Sequence, residues 1–393
     1  MATYIGIGYS QQSDWQEAAF EASVMVRKQL SSSAVNFILL LATSHYCHKE
    51  ILPAIRSVLN PTLLIGTSAA AIILPDQIMT KGLAILALNS DSLSFHSDLI
   101  AINNNTNIRS AGFDLARNLT SHPGQHRQGS FLLGDGFYRN STEFFNGTGE
   151  VLGFSSPMIA ATSSHDHDIR RSVVFFNDRM LESHVIGTLL SGTNRLTIES
   201  AHAYKPLGKP RIATKTTEHV VRTIDDKPAI SIYEEFLREK ADDIRTDVLK
   251  PQQLYPLGFY NEVSGRYLLR NPVDILADGS IVFHGDVPMG AEVHLMITNK
   301  DACLQSAQQI AQTIKDKIGE DVPELLLIIE SASRLRTLGR LAHQEIINLR
   351  ETLGFTMPLF GFYSFGEVAP WNTTSGGKHI DLNNGGIILT AIN

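Results

Sequence analysis

Apolar positions along the chain fall into two periods, and the same succession of periods occurs three times. After YIGIGYS, Ser13 and Gln16 are spaced as a helix-capping box, and Trp15, Ala19, Ala22, Val26 and Leu30 follow at helical spacing. NFILLLAT (36–43) is a continuous apolar run of strand length, which predicts a strand covered on both faces. A helix is predicted through Ile51, Ile55 and Val58, ending near Pro61, and TLLIGTSAAAII and GLAILAL then read as strands.

The order recurs. SFLLGDG (130–136) leads to a segment around Phe144 and Phe145, then to PMIAATSSHD and RRSVVFF. ELLLIIES (324–331) leads to a helix carrying Leu338, Ala342, Leu349 and Leu353, closed by Gly354, then to PLFGFYSFGEVAP and GGIILTAI. Each unit reads strand, helix, strand, strand, and the second strands align as Gly66-Thr67-Ser68, Ala161-Thr162-Ser163 and Phe362-Tyr363-Ser364. A strand-helix-strand crossover favours parallel pairing, and the strand after it makes the sheet mixed. The expected class is α/β (α+β), with mixed sheets built from these repeated units. The polar, proline-bearing stretch from about 196 to 235 breaks the pattern, so two domains are expected, 1–200 and 201–393.

Composition narrows the function classes. The 393 residues include 43% hydrophobic and 19% charged residues, an ordinary globular mix that can bury a large core. A net charge of −7 with no Lys/Arg run argues against a nucleic-acid surface. Two cysteines, Cys47 and Cys303, allow neither a disulfide framework nor a thiolate-rich zinc site. The N-terminus has no signal-peptide pattern, and FILLLA (37–42) is far too short to span a membrane. A soluble cytoplasmic protein is expected, with no nucleic-acid or membrane partner.

In open α/β sheets ligands gather beyond the carboxyl ends of strands. Three such ends carry polar groups: Thr43, Ser44 and His45; Gly134, Asp135 and Gly136; and Glu330 and Ser331, with Arg334 and Arg336 just after. Solvation of a strand end is the simpler explanation of any one set, since strand ends are polar by default. Gly66-Thr67-Ser68-Ala69-Ala70 invites a serine-hydrolase reading with Ser68 as nucleophile. A nucleophile elbow needs a helix after the turn, whereas this small-residue run continues like a strand. SSHDHDIRR (163–171) clusters His165, Asp166, His167 and Asp168, but no partner motif completes a metal site, and a polar hairpin turn explains it more simply. His45 and His48 flank Cys47 at a strand-to-helix junction, where they cap the helix, line a pocket or ligate a haem iron. No GxGxxG or Walker loop supports nucleotide binding.

Taken in order, LLIGTSAAAII, KPLGKPRIATKTTEHVVRTIDDKPAISIYEEFL, YPLGFY, ILADGSIVFHGDVPMGAEVHLM, ESASRLRTLG and GFYSFGEVAP resemble the FIST family over nearly the whole chain. That family is a two-part sensory module of prokaryotic signalling proteins and some eukaryotic ubiquitin-ligase adaptors. The sequence departs from its pattern at several points. Ala70-Ala71 stand where members commonly have Gly-Glu, Ala160-Ala161 replace paired glycines, and Ser331 replaces a frequent cysteine. IDLNNGGIIL offers Asn383 and Asn384, with His379 displaced upstream.

The resemblance implies small-ligand sensing without catalysis, with no bound cofactor and with amino acids or their derivatives as ligands. Thr67, Ser68, Asp135, Ser331, Arg334, Arg336, Tyr363, Ser364, Glu367 and Asn384 are the candidate ligand-binding residues. Glu367 would hold an amino group, Arg334 or Arg336 a carboxylate, and Tyr363 or Phe365 would wall the side chain. A buried Glu367 bonded to backbone amides is the structural alternative. One branch of the family resembles haem-based nitric-oxide sensors that regulate histidine kinases, for which His45, His48 or His379 would supply the iron ligand. With no kinase, cyclase or methyl-accepting segment in the sequence, output is expected to pass to a separate partner chain. A ligand-free interaction scaffold is the remaining alternative.

Overall fold

Three segments of the chain take up one connectivity. The computed structural model describes residues 3–30, 34–103, 105–121, 126–134, 140–165, 171–237, 255–354, 356–372 and 378–393. The first unit comprises β1 (Thr3–Ser10), α1 (Trp15–Leu30), β2 (Phe37–Ala42), α2 (Ile51–Leu59), β3 (Leu63–Ser68), the hairpin β4 (Ala71–Ile73) and β5 (Ile78–Met79), and β6 (Leu83–Ser90). The second comprises β7 (Leu93–Ala101), α3 (Ile108–Leu119), β8 (Arg127–Gly134), α4 (Ser141–Leu152), β9 (Met158–Thr162), β10 (Val174–Phe176), β11 (Arg179–Leu181) and β12 (His184–Gly192).

The third unit opens with β13 (Leu196–His202) and is then interrupted. The insertion holds β14 (Lys205–Thr217), β15 (Val220–Ile224), β16 (Lys227–Pro228), α5 (Ser231–Leu237), β17 (Leu257–Asn261), β18 (Arg266–Arg270), β19 (Pro272–Ile275), β20 (Ile281–Phe283) and β21 (Glu292–Ile297). These strands form an antiparallel sheet with its own apolar cluster around Tyr233, Phe259 and Phe283. The third unit resumes with α6 (Lys300–Ile318), β22 (Leu325–Ser331), α7 (Ala332–Leu338), α8 (Ala342–Leu353), β23 (Leu359–Ser364), β24 (Glu367–Asn372), β25 (Lys378–Asn383) and β26 (Gly386–Ile392).

Each unit builds a six-stranded mixed sheet whose last two strands come from another unit. The orders are β1-β6-β2-β3-β10-β11, β7-β12-β8-β9-β24-β25 and β13-β26-β22-β23-β4-β5. The parallel pairs are β2/β3, β8/β9 and β22/β23, one crossover in each unit. Every hairpin that follows a crossover leaves its own sheet, so the first unit completes the third, the second completes the first and the third completes the second. TLLIGTSAAAII, expected as one strand, is therefore two strands in two sheets, broken at Ala69-Ala70. The family of sheets encloses one apolar core carrying Leu39, Leu86, Phe131, Ile186, Leu327 and Ile388, and the helices cover the outer faces.

Register corrects the alignment of second strands. The core-facing residues Leu41, Leu133 and Ile329 pair with Thr67, Ala161 and Phe362, so Ser68 is level with Thr162 and Tyr363, not with Ser163 and Ser364. Gly66 and Gly361 then hold the same station. A Cβ there would lie 2.3 Å from the Leu40 and Ile328 carbonyl oxygens respectively, which excludes a side chain. A second correction concerns the first helix. Its cap is Asp14, whose Oδ1 accepts the Gln16 and Glu17 amides, rather than the Ser13–Gln16 box.

The inserted sheet is tied to the rest through Asp286, whose carboxylate accepts the Ser141 amide and hydroxyl and the Thr142 hydroxyl at the start of α4. Residue 200, the boundary expected from the sequence, lies within β13. Because β24 and β25 belong to the second sheet and β4 and β5 to the third, the two halves of the chain interlock.

Candidate functional site

The ends of β3, β9 and β23 converge, and hydrogen bonds from their hydroxyl and backbone groups close them against one another. Thr67 donates to the Ser163 hydroxyl at 2.9 Å. Ser164 donates to the Tyr363 carbonyl at 2.7 Å and accepts the Ala70 amide at 2.8 Å. The buried Ser68 hydroxyl accepts the Val173 amide at 3.0 Å, and the chain beyond it enters β4 rather than a helix, so no nucleophile elbow forms. Ser364 bonds to the Glu330 and Gly366 carbonyls. Asn384 donates to the Phe365 carbonyl, accepts the Asn271 amide and lies 3.2 Å from the His284 ring.

Ser331, Arg334 and Tyr363 gather on the helix side of the third sheet. Ser331 caps α7 through the Ser333 amide. Arg334 is fully buried, bonded to Glu345, the Cys303 carbonyl and the Ser306 hydroxyl, with Glu330 at 3.7 Å. Burial works against its charge, and the Glu345 and Glu330 carboxylates outweigh that, holding its pKa above the ordinary value. Burial, and then the neighbouring Glu345, push Glu330 well up from its ordinary value. This arrangement employs Arg334 inside the fold. Arg336 is half-buried, one residue pair further along α7.

Glu367 differs. It is buried on the core side of β24, where its Oε1 accepts the amides of Gly385 at 2.9 Å and of Gly386. Its Oε2 has no partner. Burial raises its pKa to about 7, against the opposing pull of those two amides. Glu367 lines a void too narrow for water, together with Ser200, Trp371 and Asn383 among others. The Ser200 hydroxyl, the Trp371 Nε1 and the Asn383 Nδ2 are likewise buried without partners. Four residues that line one void thus each carry an unsatisfied polar atom, a departure from the rule that buried polar groups are paired.

Ser200 and Trp371 separate that void from an open polar pocket of about 70 Å³, lined by Glu199, Arg266 and Lys317 as well. The Arg266 guanidinium stacks 4.1 Å above the Trp371 ring, and Lys317 pairs with Glu199. The pocket lies at the seam where β13, the edge of the third sheet, meets β24 of the second.

Residues 36–227 match the FIST N domain and residues 229–370 the FIST C domain. The chain belongs to the FIST family. FIST domains are sensory domains of signal transduction. Among similar proteins, an uncharacterized Mycobacterium tuberculosis protein, Rv0628c, is 24% identical over 379 residues, covering 93% of this chain and 94% of its own length. An uncharacterized Mycobacterium bovis protein, Mb0898c, is 22% identical over 407 residues with the same coverage.

The remaining sequence candidates of this FIST protein fall elsewhere. Asp135 lies outside the described residues, as do residues 166–170 of the His/Asp cluster and the His379 side chain. Among the described residues no group of three or more His, Cys, Asp or Glu is placed to hold a metal. His45 and His48 are exposed, the latter stacked on Trp15 at 4.8 Å. Sequence reasoning reached Glu367 but missed Trp371, which the two-residue period of β24 places on the same face. Arg266, Lys317 and Ser200 carry no local signal, since they come from three distant elements.

Proposed function

We propose that this FIST protein is a ligand-binding sensor of signal transduction, that its ligand is a small zwitterion of the amino-acid kind, and that it signals through a separate partner protein such as a histidine kinase. The observation that carries the ligand class is the buried Glu367 carboxylate behind a mouth that holds Arg266 and Lys317. A ligand ammonium would meet Glu367 Oε2, and a ligand carboxylate would meet Arg266 and the Trp371 and Asn383 donors. An unsatisfied buried polar group costs about 1–3 kcal/mol, so a ligand that satisfies these groups recovers that free energy.

Entry requires Ser200 and Trp371 to part, because the void behind them is closed to water. Those residues belong to β13 and β24, so occupancy would favour a different packing of the third sheet against the second. A partner that reads this packing would respond to the ligand. Binding rather than turnover fits the engaged Ser68 hydroxyl, and cytoplasmic placement fits two buried cysteines that are not joined in a disulfide.

The test is a thermal-shift panel of amino acids, simple derivatives and haemin, with an absorbance scan. A ligand at a hundredfold excess over its Kd adds about 2.7 kcal/mol of stability. A selective shift by an amino acid, lost in Glu367→Gln, is the expected result. A Soret band with haemin would replace this reading with a haem sensor, and no shift at all would leave a scaffold.

A further inference from the structure

The three sheets meet around an apolar cavity of about 50 Å³ that none of the candidate residues touches. Its wall is layered by the repeat. Leu39, Phe131 and Leu327 hold equivalent stations on β2, β8 and β22, and their cross-strand neighbours are Leu86, Thr188 and Thr390. The next layer is Leu88, Leu190 and Ile392. Thr188 bonds its hydroxyl to Ser97 at 2.7 Å, and the surface that remains is almost wholly apolar. Ser130 and Thr390 line it too, with buried hydroxyls that lack partners, but a space with so little polar surface still favours apolar molecules over water.

Leu196 and Ile198 line this cavity and also line the polar pocket of Arg266, Lys317 and Trp371. They share the core-facing side of β13 with Ser200, which borders the polar pocket and the Glu367 void. One face of one edge strand thus runs from an apolar chamber past a cationic pocket to a buried carboxylate. We infer that the site takes a bipartite ligand, a small polar head with an aliphatic or aromatic chain, whose head lies between Arg266 and Glu367 and whose chain enters the axial cavity past Leu196 and Ile198. This rests on the zwitterion reading above and narrows it to ligands with a sizeable apolar chain. It also accounts for an otherwise unfilled space in a core of close-packed sheets.

The experiment is titration calorimetry of the full chain with glycine, alanine, norvaline, leucine and phenylalanine, repeated in Leu86→Phe, which narrows the cavity from the wall remote from the polar pocket. Affinity is expected to rise about fourfold per buried methylene. The loss in Leu86→Phe should be at least tenfold greater for leucine than for alanine. Leu190→Phe replaces that variant should it fail to fold. Equal affinity for glycine and leucine would overturn the bipartite site while leaving the head-group reading in place. Should no amino acid bind, the head-group reading falls, and benzene then decides the cavity. A thermal shift with benzene that Leu86→Phe abolishes supports an apolar site there, and no benzene shift overturns it.

Discussion

Replacing Glu367 by glutamine removes a buried titration while keeping the shape of the side chain and the carbonyl-type oxygen that accepts the Gly385 and Gly386 amides. In the folded wild type this carboxyl titrates at about 7 instead of 4.5, because burial penalises the ionised form. The folded state therefore holds the proton more tightly than the unfolded chain. The resulting stability is fully present below pH 4.5 and is lost as pH rises to about 7. At about 1.4 kcal/mol per pH unit, the ionised carboxylate costs the fold about 3 kcal/mol above neutrality. Glutamine carries no such dependence. Urea unfolding of both proteins from pH 4.5 to 8 should give equal stabilities at the acid end and an advantage for Glu367→Gln that grows to about 3 kcal/mol at pH 8. His202 and His284, buried and lowered to about 4 and about 3, lose their contribution as pH falls below 6.5, but they act equally in both proteins and cancel in the difference. A difference that stays flat with pH would refute the isolation of Glu367 from water, and with it the argument that its free oxygen awaits a ligand.

Arg334→Met leaves the Glu345 carboxylate buried without its partner and should cost about 3–5 kcal/mol in urea unfolding. A milder effect would show that Arg334 is available for a ligand after all. Gly361→Ala places a Cβ against the Ile328 carbonyl oxygen and should cost about 1–3 kcal/mol or prevent folding, measured by thermal unfolding with Gly153→Ala, where nothing lies within 4 Å but φ is +89°, as a comparison for backbone strain.

Much of the fold was legible because local periodicity is a property of the chain itself. A continuous apolar run such as FILLLA must be buried on both faces, and every residue of β2 is. The strand-helix-strand order forced the parallel pairs. What the sequence did not reveal was where each hairpin goes. Ala69 and Ala70 look like strand interior, and only the neighbouring β23 makes β4 part of another sheet. The one-residue slip in aligning the second strands has the same origin, since similar short segments differ in register only through their partners.

The candidate site divides along that line. Polar strand ends, the buried Glu367 and the small residues that let backbones approach were readable from spacing and residue type. Whether a polar group is spent or free was not. Ser68, Asn384 and Arg334 find partners just before β10, in the inserted sheet and on α8, whereas the second oxygen of Glu367 finds none. The sequence by itself determined the three repeated units, the apolar faces and the carboxylate at the end of the last aromatic strand. The tertiary structure decided that hairpins are exchanged among the units, and so brought Ser200, Arg266, Lys317 and Trp371 to one seam. The reason is physical: hydrophobic period fixes which face of an element is buried, while pairing between elements far apart in the chain fixes what each buried polar atom meets.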